Sequence, residues 1–106
     1  VIVTPEYNAG YPAILKNALD FLAAEWAGKP VAVVAYGWYG GARAASALSP
    51  VLANLKLEEV DGVRLQFGQH LVDGAWSDDP AVRAAVDAEL AALVSRVQSS
   101  LFERVA

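Results

Sequence analysis

Two short stretches gather residue types suited to holding a flat ligand: Thr4-Pro5-Glu6-Tyr7-Asn8-Ala9-Gly10-Tyr11-Pro12 and Tyr36-Gly37-Trp38-Tyr39-Gly40-Gly41-Ala42-Arg43-Ala44. Glycines at 37, 40 and 41 let main chain approach a ligand closely or take positive φ, and Trp38 and Tyr39 among them are placed to flank a ring. A helix starting near Gly41 would present unpaired N–H groups and the positive end of its dipole. Alone, a glycine-rich loop after a strand serves as an ordinary turn as readily as a binding loop.

Other chemistries are excluded by composition. No cysteine is present, so disulfides, thiolate metal sites and cysteine nucleophiles are ruled out. The single histidine, His70, cannot build the common zinc constellations, and no nucleophile–histidine–carboxylate set exists. His70 follows Gly68-Gln69 at a strand end and reads as a surface or loop-satisfied histidine with no assigned role. A net charge of −4 with no basic run argues against nucleic acid as a partner. The longest apolar run, Val31 to Tyr36, is far short of the ~20 residues of a membrane helix. No signal-peptide pattern appears, and the cytoplasm is the expected location.

The 106 residues are 56% hydrophobic and 19% charged, which fits one globular domain spanning 1–106. The chain opens on Val1-Ile2-Val3 and contains no methionine, so it reads as the later portion of a longer protein, a domain incomplete at its N-terminus. Val1 to Val3 reads as the end of a strand buried on both faces, ended by Thr4-Pro5. Pro12 falls in the first turn of a helix whose apolar positions, Ile14, Leu15, Ala18, Leu19, Leu22 and Trp26, recur until Gly28. Pro30 to Tyr36 is a central strand. The segment from Ala42 is helical, with Ser49-Pro50 restarting it at a kink or break. Glu58 to Phe67 suggests a third strand, with Asp61-Gly62 as a bulge or turn, and residues 69–77 read as loop. Asp79-Pro80 then caps a final helix with an apolar stripe of Val82, Val86, Leu90, Leu93, Val97 and Leu101.

Strands alternating with helices imply an α/β fold with a parallel sheet covered by helices, in which ligands sit beyond the carboxyl ends of the strands. Both aromatic and glycine-bearing stretches fall there. Three strands make a thin sheet whose edge calls for more partners, which an upstream part would supply.

The run Thr4 to Asp20, "TPEYNAGYPAILKNALD", the Gly28-Lys29-Pro30-Val31 approach to the next strand, and the "YGWYGGARA" loop at 36–44 together resemble the NADPH-dependent FMN reductases of the flavodoxin-like superfamily. The resemblance covers essentially the whole chain. It implies a flavodoxin-like three-layer α/β/α fold with a parallel sheet, here its later three strands and three helices. It also implies FMN and NADPH as cofactors, with hydride passing from nicotinamide to flavin and on to a small-molecule electron acceptor such as a quinone, free flavin, azo compound or metal oxyanion. No acid–base pair is demanded, because the cofactors carry the chemistry.

By that likeness Pro5, Glu6, Tyr7 and Asn8 lie against the flavin ring, offering backbone groups to its polar edge, and Gly37, Trp38, Tyr39, Gly40 and Gly41 lie on its pyrimidine side. The helix after Pro12 would line a homodimer or homotetramer interface, with Phe21 and Trp26 as apolar anchors; read without the likeness, Lys16, Asn17 and Asp20 make a solvated face. Glu6 by itself reads as a solvated loop carboxylate, Tyr7 and Tyr11 as loop anchors or ligand contacts, and Arg43 as the partner of a nearby carboxylate or of a nucleotide phosphate. The family's phosphate-binding loop, a Gly-Ser-x-Arg-like segment after its first strand, has no counterpart in these 106 residues. That departure keeps open the reading of a flavin-less interaction domain, and a non-catalytic flavodoxin-type electron carrier is a further alternative.

Overall fold

The β-branched start of the chain forms β1 (Ile2–Pro5), and the apolar run after Gly28 forms β2 (Pro30–Val31) and β3 (Val33–Gly37). The structure, a computed structural model, describes residues 1–105. The third strand region is likewise in two pieces, β4 (Glu58–Glu59) and β5 (Val63–Gln66). β1, β3 and β5 form a parallel sheet in that order, with Ile2 opposite Val33 and Val34 opposite Val63, while β2 and β4 pair in parallel just ahead of it. Parallel neighbours require crossovers that return the chain to the same end of the sheet. These connections carry α1 (Ala13–Phe21) and α2 (Ala42–Asn54), and α3 (Pro80–Val105) is the final element, after β5.

Two packed layers flank the sheet because the central run is apolar on both faces. Val31, Val33 and Ala35 pack with Leu19 of α1 and with Ala45, Leu48 and Leu52 of α2. Ala32 and Val34 face the other way, onto Val63, Leu65 and the α3 residues Val86 and Leu93. This is the α/β/α layering of the flavodoxin-like fold. Asp79 starts α3 as expected, its carboxylate accepting the Ala81 N–H at 2.9 Å.

Several elements differ from the sequence-based expectation. β1 is covered on one side only: Thr4 is buried, but Val1 and Val3 are exposed, and the strand continues through Pro5. As an edge strand it lies beyond the full cover of α3, which leaves an apolar cleft of about 380 Å³ between Val1 and Val3 and the Leu90–Val94 turn.

α1 ends at Phe21, well before Gly28. Leu22 turns to extended geometry, and the indole of Trp26 folds back to donate to the Leu19 carbonyl at 2.9 Å, satisfying a C-terminal acceptor that another helical turn would have used. Trp26 therefore packs against the core beside α1, partly buried, while Phe21, 87% exposed, remains on the surface.

α2 runs unbroken through Pro50, with no restart at Ser49. The Ser49 hydroxyl donates to the Ala45 carbonyl at 3.2 Å, while the carbonyl whose helical donor is lost at Pro50 is that of Ser46.

The expected break at Asp61-Gly62 is present between β4 and β5. A Cβ on Gly62 would fall 2.0 Å from the Val33 carbonyl oxygen, and the Arg64 guanidinium donates to that same oxygen at 2.9 Å. Residues 69–77 are not simple loop. β6 (Leu71–Val72) and β7 (Ala75–Trp76) form a hairpin whose two-residue turn, Asp73-Gly74, has φ of 51° and 77°. Both signs suit a type I′ turn, a signal carried by the Asp-Gly pair.

Candidate functional site

Pro5 and Tyr36 are register partners at the carboxyl ends of β1 and β3, so the chain leaves both strands at adjacent points. The Glu6 N–H donates to the Tyr36 carbonyl at 3.0 Å and extends that pairing one residue into the loops. Tyr7 and Gly10 then exchange N–H···O bonds of 2.8 and 2.9 Å around Asn8 and Ala9, whose φ values of 51° and 65° describe another type I′ turn. Pro12 follows as the N-cap of α1. The first loop is thus a small hairpin standing on the sheet edge.

The second loop closes by bonds from Gly40 N–H to Gly37 O (3.1 Å) and from Ala42 N–H to Tyr39 O (3.3 Å). Gly41 carries the turn into α2 at φ 69°, pressed so closely on β3 that a Cβ would lie 2.5 Å from the Tyr36 nitrogen and 2.6 Å from the Ala35 Cβ. Only glycine meets both demands.

Glu6 joins the two loops. Its carboxylate accepts the Arg43 N–H at 2.9 Å and the Ala44 N–H at 3.4 Å through one oxygen, and the Arg43 side-chain Nε–H at 2.8 Å through the other, which also pairs with Arg43 Nη2. The Glu6 side chain is 6% exposed. Burial pushes its carboxyl up, but the hydrogen bonds and positive charge of Arg43, with the Ala44 N–H, outweigh that and hold it below the usual carboxylate range. This corrects two expectations: Glu6 is not a solvated carboxylate, and the first N–H groups of α2 are not free for a ligand, because Glu6 occupies them. Arg43 is the partner of a carboxylate, one of its two expected roles.

Between the loops lies an open slot of about 310 Å³, at the small end of the range of about 300 to 1,000 Å³ typical of small-molecule sites. Glu6, Asn8, Gly37, Trp38 and Tyr39 line it. Pro5, Tyr7, Gly40 and Gly41 frame it without facing it: Pro5 in the sheet, Tyr7 exposed on the hairpin, Gly40 and Gly41 in the turn onto α2. Trp38 and Tyr39 are 71% and 68% exposed and stand as free aromatic walls. Among the described residues, the N–H groups of Asn8, Trp38 and Tyr39 have no hydrogen-bond acceptor.

Ala9, Arg43 and Phe67 complete the lining, and Phe67 was not foreseen. It leaves the end of β5, its N–H donating to Gly37 O at 3.0 Å, and its ring meets Trp38 edge-on at 5.4 Å between centroids and Tyr36 at 6.1 Å. Its signal was positional: the carboxyl end of the third strand opens on the same rim as the other two. His70 has a structural part, its Nδ1 accepting the Gln66 N–H at 2.8 Å. Among the described residues no cluster of three or more metal-ligating side chains occurs, and no helix is long and apolar enough to cross a membrane.

The family model described as NADPH-dependent FMN reductase matches residues 1–71, which hold β1 to β5 and both slot loops. The chain belongs to that family. Among NADPH-dependent FMN reductase relatives, an NAD(P)H-dependent FMN reductase of Saccharomyces cerevisiae is 52% identical over 67 residues, covering 63% of this chain and 35% of the yeast protein. An NAD(P)H-dependent FMN reductase of Schizosaccharomyces pombe is 60% identical over 57 residues, 54% of this chain and 28% of its own length. A 2-hydroxy-1,4-benzoquinone reductase of a Burkholderia species is 44% identical over 64 residues, 54% of this chain and 35% of its own. The chain thus spans about a third of the length of these relatives. Within this chain, the matched segment is the part that builds the slot.

Proposed function

We propose that the protein is an FMN-dependent NAD(P)H oxidoreductase that takes hydride from a nicotinamide nucleotide and passes electrons to a quinone, flavin or similar small acceptor. The observation that carries the reading is the meeting of the Glu6–Asn8 and Gly37–Tyr39 segments in one open slot at the carboxyl ends of β1 and β3, in a chain of the FMN reductase family. Relatives named as FMN reductases and as a benzoquinone reductase support the choice of donor and acceptor class.

The donor set fits the ring of FMN. Free N–H groups at Asn8, Trp38 and Tyr39 can donate to carbonyl and nitrogen acceptors on a flat heterocycle, and fixed donors of this kind favour negative charge gathering opposite them. Trp38 and Tyr39 supply faces and edges for stacking, while Gly37 keeps the floor low enough for main chain to touch the ligand. Bound FMN would supply hydride acceptance from the nicotinamide and onward electron transfer, leaving the protein to position and polarise. The slot is open to solvent on the aromatic side, which suits successive binding of two different substrates. Pro5, Tyr7, Gly40 and Gly41 take part as the frame that fixes the lining residues.

A homodimer or homotetramer through α1 belongs to the same proposal. Ile14 and Phe21 are exposed seven positions apart on that helix, beside the Lys16–Asp20 ion pair at 2.7 Å, an apolar pair next to matched charges as self-association prefers. A cytoplasmic location is proposed with it.

The decisive experiment is the visible spectrum of the protein loaded with FMN, before and after anaerobic addition of NADPH. A perturbed flavin band that bleaches on addition is the expected result. No uptake of flavin would overturn the reading, and uptake without bleaching by NADPH or NADH would reduce it to flavin binding.

A further inference from the structure

The reach of Glu6 does not end at Arg43. The Arg43 guanidinium, held by Glu6 on its Nε and Nη2 edge, lies with its Cζ 4.6 Å from the centroid of the Tyr39 ring. A carboxylate on the first loop, a guanidinium on α2 and a phenol ring on the second loop are therefore joined in one chain of contacts, and all three residues line the slot. Tyr39 is otherwise 68% exposed, so the guanidinium face is a main constraint on where its ring lies.

A planar cation held along its Nε and Nη2 edge by one carboxylate oxygen is restricted in where its face lies, and a ring in cation–π contact with it is restricted in turn. Without Glu6 the guanidinium would turn into solvent, since its side chain is half exposed, and the Tyr39 ring would lose its support. The pair also leaves this part of the slot wall without net charge, with Arg43 bound to Glu6 through Nε and Nη2.

We infer that Glu6 is a positioning residue, which acts through Arg43 to set the plane of Tyr39 and hence the width of the slot for a flat ring. The inference rests on the flavin reading above and adds to it a residue that shapes the site without using its own carboxylate on the ligand.

The test uses lumiflavin, which presents the ring system without a ribityl phosphate, titrated into the full chain and followed by flavin fluorescence and the visible band. Glu6→Gln keeps an oxygen for the Arg43 and Ala44 N–H groups, so α2 retains its start, but it loses the ion pair. Arg43→Lys keeps the charge and loses the planar face. Both variants are expected to weaken lumiflavin by about twofold to fivefold, the size of an exposed cation–π contact, and to shift its visible band in the same direction. Added to Tyr39→Leu, Glu6→Gln is expected to have no further effect, because the relay has lost its end.

Binding and band position unchanged by Glu6→Gln would overturn the positioning role while leaving the flavin reading intact. So would effects of Glu6→Gln and Tyr39→Leu that simply multiply. A wild-type chain that takes up FMN but no lumiflavin would overturn this inference alone, and one that takes up neither would overturn the flavin reading with it.

Discussion

The Glu6 carboxylate accepts the main-chain N–H of Arg43 across 37 positions of sequence, and so the loop that follows β1 caps the helix that follows β3. A helix whose own N-cap is a glycine without a side chain has its first donors satisfied from a neighbouring loop. Closure of the slot floor and the start of α2 are therefore one event.

A pH dependence follows from that contact. In the folded chain the Glu6 carboxyl titrates below its ordinary value of 4.5, because Arg43 and the Ala44 N–H outweigh the effect of burial. A depressed folded pKa gives stability that is fully present above the unfolded pKa and is lost as pH falls through the folded one. Urea midpoints should accordingly hold steady from neutral pH down to about the ordinary carboxylate range and then fall. The Glu6→Gln chain should start lower and show a shallower fall over the same interval. Parallel curves for the two chains would show that other carboxylates carry the acid sensitivity.

The two loop glycines should differ sharply on substitution. Gly41→Ala puts a methyl 2.5 Å from the Tyr36 nitrogen at φ 69°, a clash with main chain that no rotamer relieves, and a loss of at least about 3 kcal/mol is expected. Gly40→Ala meets only the Arg64 Cβ at 3.5 Å and bears the φ 67° strain alone, expected at about 1 to 2 kcal/mol. Denaturant unfolding of the two variants gives both numbers. Equal losses would mean that backbone conformation, rather than contact with β3, decides the glycine at 41.

The aromatic wall of the slot makes a separate prediction. Trp38 is 71% exposed and touches Phe67 edge-on, so Trp38→Ala should change thermal stability little while weakening lumiflavin by about tenfold, the scale of one lost stacking contact. Phe67→Leu, which removes the edge partner but keeps bulk, should weaken lumiflavin by only about threefold. A Trp38→Ala chain that unfolds early but binds as wild type would place Trp38 in the core economy of the loop instead of in the site.

What the sequence made legible was whatever depends on local pattern. The continuous apolar run Val31 to Ala35 marks a strand buried on both faces, Asp79-Pro80 marks the start of α3, and glycines among aromatics mark the rim. What it hid depends on contacts distant in sequence. The end of α1 at Phe21 is decided by the Trp26 indole reaching Leu19, which periodicity counts as another helical position. The continuity of α2 through Pro50 reflects the burial of Leu48 and Leu52 on either side, which outweighs one absent donor. Glu6 looked solvated because its partner lies on another element, and Phe67 looked like the last residue of a strand because nothing local shows that three strand ends share one rim.

Among the described residues, four other than glycine, Asn8, Ala9, Lys56 and Asp73, sit in left-handed conformation, and Ala9 and Lys56 among them offer a test of how strain is distributed around the site. Ala9 has φ 65° in the hairpin turn of the first loop, and Lys56 has φ 63° just beyond α2, where Leu57 N–H returns to Leu52 O at 3.0 Å. The left-handed region costs a residue with a Cβ roughly 1 to 2 kcal/mol. Replacing it by glycine recovers that cost but frees the unfolded chain, worth about 0.4 to 1 kcal/mol in the opposite direction. Ala9→Gly and Lys56→Gly should each therefore stabilise by a margin between about zero and 1.5 kcal/mol. The sum should be additive, because the two turns share no contact residue, and urea unfolding of the single and double variants measures it. Lys56→Gly should leave lumiflavin binding untouched, since that turn lies outside the slot. Ala9→Gly lines it, and if the hairpin holds its turn by the Tyr7–Gly10 bonds alone, the affinity should stay within about twofold; a larger loss would mean that the Ala9 methyl is itself part of the wall.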